Sequence, residues 1–121
     1  MEVRTAASPR DVKHYTTDRL REEFLIQNLF VPGEIKMVYS HIDRIITGAA
    51  VPAKETLTLT AGAELRAEYF FQRREMGIIN IGGAGTITVD GKAYEVAYKE
   101  GMYIGMGAKD ITFASKDETN P

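Results

Sequence analysis

INIGGAGTITVDGKAYEV, residues Ile79 to Val96, decides how the rest of the chain is read. A glycine cluster this dense either cradles a phosphate or turns a corner between strands. A phosphate cradle needs a helix directly after it, because the helix amino terminus supplies the N–H donors and the positive end of the dipole. Here Thr86, Ile87, Thr88 and Val89 alternate polar with apolar and run into Asp90-Gly91, the pair that best tolerates the positive φ angles of a tight hairpin. Tyr94, Val96 and Tyr98 then alternate with Ala93, Glu95 and Ala97, a second strand. Gly82, Gly83 and Gly85 also miss the G-x-G-x-x-G spacing, since Thr88 stands where the last glycine would fall. The glycines are read as a turn or bulge, and the chain as all-β.

Working outward, 121 residues bound the protein to a single domain with a modest core. A net charge of -2 with interleaved acids and bases leaves no stripe for nucleic acid or anionic lipid. With no cysteine there is neither a disulfide framework nor a thiolate metal site. MEVRTAASPRDVKHY lacks the apolar core of a signal peptide, and no apolar run is long enough to span a bilayer as a helix. The expectation is a cytoplasmic protein with neither nucleic-acid nor membrane partners.

Ser8-Pro9-Arg10-Asp11 has a capping-box layout, and Thr17 is read as the cap of a second helix over Asp18–Leu25. Residues 1–34 thus form a short helical amino-terminal arm, ended by Pro32-Gly33. Strands are predicted at Lys36–Ile46, Thr56–Thr60, Leu65–Arg73, Gly77–Ile81, Thr86–Val89, Ala93–Lys99, Met102–Ile104 and Asp110–Ala114, spaced as in a sandwich or barrel. After ITFAS comes SKDETNP, a polar run that suits either a turn into a further strand or a frayed tail. On the first alternative the chain is a fragment whose last β-ladder is half paired.

Glu75 and Gly82, with six residues between, followed by a hairpin and by GMYIGMG, resemble the double-stranded β-helix of the cupin superfamily. In metal-binding cupins a His-x-His pair precedes that glutamate, and here its positions hold Tyr69 and Phe71. The second motif's turn becomes Gly105-Met106-Gly107, and its histidine position holds Asp110. A divalent transition metal wants converging imidazole or carboxylate donors, which aromatic carbon does not supply. The longer phrases MVYSHIDRI, QRREMGIINIGGAGTITVDG and YIGMGAKDITFAS resemble the amino-terminal half of the 5-dehydro-4-deoxy-D-glucuronate isomerases, the uronate ketol-isomerases of pectin breakdown. That resemblance implies two cupin barrels per polypeptide, assembly as hexamers, and zinc held by three histidines and a glutamate of the second barrel. It implies that residues 35–121 are a non-metal cupin barrel lacking its last strand and the catalytic cupin domain after it. No catalytic residue, metal ligand or cofactor is then expected in this chain.

The residues independently agree that a three-histidine site is out of reach, since only His14 and His41 are present. His41-Ile42-Asp43 places two polar groups on one side of a predicted strand, either as an imidazole–carboxylate hydrogen bond or, with Arg44, near a domain or subunit junction. Arg73, Arg74 and Glu75 form a second cluster. Its guanidinium groups either clamp a uronate carboxylate or make surface ion pairs. Arg73, Arg74, His41 and Arg44 are therefore the candidate substrate-binding residues. The rings of Tyr69, Phe70, Phe71, Tyr94, Tyr98 and Tyr103 are read as core filling, with sugar stacking requiring instead a row of rings facing solvent. Met102 and Met106 are read as core or turn packing.

Three functions compete at this point. The chain is the scaffold and assembly half of a ketol-isomerase, working with its own second cupin domain in a homo-oligomer; or a free-standing module for an acidic sugar; or a structural protein built for oligomerisation. Only the first requires a second domain, and only the second requires measurable heat on mixing with a uronate.

Overall fold

Backbone hydrogen bonds sort the computed structural model, which describes residues 1–121, into nine strands and two α-helices. The order is β1 (Glu2–Arg4), α1 (Pro9–Val12), α2 (Thr17–Phe24), β2 (Ile35–Ser40), β3 (Ile46–Ala50), β4 (Leu57–Thr58), β5 (Met76–Ile79), β6 (Gly85–Val89), β7 (Lys92–Val96), β8 (Gly101–Ile104) and β9 (Ile111–Ser115). Three open sheets result, ordered β1-β2-β3, β4-β9-β6-β7 and β5-β8. The chain is β-rich with few helices, as the alternation at Thr86–Val89 indicated.

The hairpin at the centre of the sequence is the one expected. Asp90 and Gly91 take φ of 48° and 81°, and β6 pairs with β7 from Val89↔Lys92 to Gly85↔Val96. The asparagine and glycines before it form the expected turn. Asn80 Nδ2 donates to the carbonyls of Gly83 (2.8 Å) and Val96 (2.9 Å), and its Oδ1 accepts from the Gly82 N–H. Gly82 and Gly83 are needed for closeness, since a Cβ at either would run into the carbonyls of Pro121 and Asn120.

Several expectations are corrected. The strand Lys36–Ile46 is in fact β2, a turn, and β3, paired antiparallel from Ile35↔Ala50 to Tyr39↔Ile46. Asp43 and Arg44 adopt φ of 54° and 52°, left-handed backbone that a strand does not accept. The strand Leu65–Arg73 is two 3-10 turns, Ala63–Leu65 and Phe70–Gln72. Arg66 is left-handed at φ 46°, and the adjacent Phe70 and Phe71 are both buried, whereas a strand would send them to opposite faces. The second helix is capped by Thr16 and not Thr17, its side chain accepting the Arg19 N–H. Ser8 caps α1 as expected. Within residues 1–34 the arm also contributes β1, too short to announce itself, which pairs parallel with β2 (Glu2↔Val38 to Arg4↔Ser40). The carboxyl-terminal ladder is not half paired: β9 lies between β4 and β6.

The core gathers where the sheets meet the 3-10 turns: Phe71 (0% exposed) and Ile111 (1%) at its centre, with Tyr39, Leu59, Phe70, Ile87 and Phe113 around them. It is small, at 12 of 121 residues. The accessible surface of 8311 Å² exceeds the roughly 6500 Å² expected of a compact 13.5 kDa monomer.

Candidate functional site

The surface carries an apolar cleft of about 1100 Å³ between β3, β5 and the β6–β9 face, walled by Ile35, Met37, Ile46, Ile78 and Phe113. Its polar rim is the turn after β2 together with the segment leading into β5, which bring Asp43, Arg44, Arg74 and Glu75 to the mouth.

Of the four candidate substrate-binding residues, Arg44 and Arg74 line the cleft, and His41 shares the Tyr39 ring with Arg74 outside that lining. Arg74 lies over the buried ring of Tyr39, 4.7 Å from its centroid, and its Nη1 donates to the Arg44 carbonyl at 3.1 Å. His41 packs edge-on against the same ring, 5.1 Å between centroids, while its backbone N–H donates to the Arg4 carbonyl. The expected imidazole–carboxylate pairing with Asp43 is absent among the ion pairs, because both residues sit on a turn and not across one strand face. Arg73 is not part of the group. Its Nη2 donates to the carbonyls of Leu65 (3.1 Å) and Arg66 (2.9 Å), a clamp on the 3-10 turn. The surface ion pair read for Arg73, Arg74 and Glu75 is replaced by these carbonyl contacts and by a hydrogen bond from Tyr103 Oη to Glu75 Oε2 at 2.6 Å. That bond holds the Tyr103 hydroxyl above its usual range, with desolvation and the Glu75 charge adding to it.

The sequence reading missed Tyr39 as the platform for this group. The alternation in MVYSHI put Tyr39 on a strand, but nothing there indicated that an arginine 35 positions on, Arg74, would cover it. The tyrosines expected in the core are also corrected: Tyr94, Tyr98 and Tyr103 face solvent. Lysine ammonium groups lie over two of them, Lys92 on Tyr94 at 4.9 Å and Lys99 on Tyr98 at 5.1 Å. Met106 is exposed in a turn, and Met102 packs against the core.

The residues at the cupin motif positions do not fit a zinc ion. Phe71 is wholly buried against Phe70, Tyr69 lies under Lys109, and no three His, Cys, Asp or Glu side chains come close enough to share a metal.

No protein-family model matches the chain. Among curated proteins, 4-deoxy-L-threo-5-hexosulose-uronate ketol-isomerase of Lachnoclostridium phytofermentans is 78% identical over 121 residues, all of this chain and 44% of that protein. The protein of the same name in Lachnospira eligens is 57% identical over 121 residues, all of the chain and 43% of its own length. The Escherichia coli one is 49% identical over 123 residues, covering 44% of that protein. The chain spans less than half the length of the curated relatives it matches. Over all 121 residues the chain is similar to proteins named 4-deoxy-L-threo-5-hexosulose-uronate ketol-isomerase, and it matches 43–44% of the length of each.

Proposed function

We propose that this chain serves as the amino-terminal half of a pectin-degradation ketol-isomerase, converting 5-dehydro-4-deoxy-D-glucuronate to 3-deoxy-D-glycero-2,5-hexodiulosonate in the cytoplasm. Its part is framework and assembly surface. Its three sheets are read as portions of a cupin-like double-stranded β-helix that packs on a second cupin domain and assembles as a homo-oligomer, a hexamer on the family resemblance. The observation that carries this reading is the 78% identity over the entire chain to a protein of that name. Interconverting an aldose and a ketose moves a proton between adjacent carbons through an enediol, which requires a base and an electrophile for the developing oxyanion. In this proposal both, zinc included, lie with residues outside these 121.

The test is a chimera in which this chain replaces the matching 121 residues of the Lachnoclostridium phytofermentans relative. If the chain is a functional equivalent of that half, the chimera turns the uronate over at a kcat within about threefold of the parent's, a barrier change under 1 kcal/mol. A folded chimera without turnover overturns the assignment.

One observation favours a second reading: Arg44 and Arg74 both line the cleft, the Arg74 guanidinium donating to the Arg44 backbone carbonyl, and arginine there suits a sugar carboxylate. Calorimetry of the 121-residue chain with galacturonate separates the two readings. A framework gives no heat of binding, whereas a saturable signal lost in Arg74→Ala assigns an acidic-sugar module.

A further inference from the structure

Strands β5 and β6 make one bent run from Met76 to Val89, and its two sides are flanked unequally. On one side β8 accompanies β5, from Met76↔Ile104 to Ile79↔Gly101, and β7 accompanies β6. On the other side β9 accompanies β6, from Val89↔Ile111 to Gly85↔Ser115. The tail then takes over: the Lys116 N–H donates to the Ala84 carbonyl, the Gly83 N–H to the Asn120 carbonyl, and the Pro121 carbonyl stands against Gly82. Beyond Pro121 this side of β5 has no neighbour. Ascending tail residues meet descending residues of the run, so the tail travels antiparallel along it and is aimed at the open edge of β5.

That edge is equipped for pairing. The Asn80 N–H donates to the Glu100 carbonyl on the β8 side, so by the two-residue alternation of a strand the N–H and C=O groups of Gly77 and Ile79 point the other way. The sequence MGII offers no charge and no proline, the devices by which sheet edges are kept from pairing. Ile79 is 74% exposed and Ile81 60%. The cleft lies between this edge and β3, whose outer edge is also without a partner.

We infer that the open edge of β5 receives one extended segment of the polypeptide that follows Pro121 in the longer protein, added antiparallel between β5 and β3 and closing the cleft. The occupant is argued from the heading of the tail and from the relatives, more than half of whose length lies outside the match. Main-chain hydrogen bonds to Gly77 and Ile79 supply affinity, and the apolar walls supply register. The inference rests on the reading of the chain as one half of a longer polypeptide.

Amide hydrogen exchange tests it in two proteins. In the 121-residue chain, the Gly77 and Ile79 amides exchange at unprotected rates while Ile78 and Asn80 are slow. In the chimera described above, Gly77 and Ile79 slow by about 100-fold or more. Ile79→Pro removes an N–H that the β5–β8 ladder does not use, so it leaves the melting temperature of the short chain almost unchanged and lowers that of the chimera by about 10 °C. Edge amides already protected in the short chain as it dimerises would give the edge to a second copy and overturn the inference. Unprotected edge amides in an active chimera would also overturn it while leaving the proposed function standing. An inactive chimera with a protected edge would do the reverse.

Discussion

Phe71 has no exposed surface and packs its ring edge-on against Phe70 at 5.1 Å, so it is the side chain on which the core closes. Phe71→Ala is expected to cost about 3–5 kcal/mol in denaturant unfolding, the transfer free energy plus the cavity left behind. Tyr103 makes a different kind of prediction. Its hydroxyl donates to Glu75 and is held above the usual phenol value of 10.0. A group raised on folding contributes stability that is present below its unfolded pKa and lost as pH rises through the folded one. Alkaline titration of Tyr103 should therefore show its hydroxyl ionising late, and Glu75→Gln should bring it back toward the usual phenol range. At this scale the sequence was only partly legible. That Phe71 and Phe70 fill a core could be read from their chemistry, but the outward Tyr94, Tyr98 and Tyr103 could not, because a strand's alternation tells two faces apart without telling which one is covered. The same limit applied to Arg73 and Arg74. They are neighbours in sequence, yet one clamps a 3-10 turn and the other roofs Tyr39.

Among elements, the β6–β7 hairpin was legible because Asp90-Gly91 carries its geometry in two residues. The region Leu65–Arg73 was not, because its alternation of apolar residues suits a strand as well as it suits turns that bury neighbours together. Asp90 also ties the hairpin to the approach of β9, accepting the N–H groups of Lys109 and Asp110 at 2.9 Å each. Those bonds, Asp110's first and then Lys109's, hold its carboxyl below the usual 3.8. The stability it contributes is present above the unfolded pKa and lost as pH falls through the lower folded one. Thermal melting followed from about pH 6 to about pH 2 should fall less steeply at the acid end in Asp90→Asn than in the parent. The turn before β6 predicts the behaviour of the tail. In Gly82→Ala the new Cβ displaces the Pro121 carbonyl, so limited proteolysis should cut between Lys116 and Pro121 faster than in the parent, with the β6–β7 amides as slow as before. Equal cutting rates would mean that the tail is not held by that contact.

At the level of the whole molecule, the β-rich character followed from the sequence, while the openness of the sheets did not, since pairing between distant strands leaves no local trace. A surface of 8311 Å² over a core of 12 buried residues is large for a 13.5 kDa chain. Arg44, Arg74 and Glu75 line the apolar cleft. The central claim, that this half of a ketol-isomerase supplies structure and leaves the chemistry to the other half, is tested most directly by assaying the purified 121-residue chain for uronate isomerisation with its zinc content measured on the same sample. The account predicts no turnover and no stoichiometric zinc; turnover accompanied by one tightly held zinc per chain would contradict it.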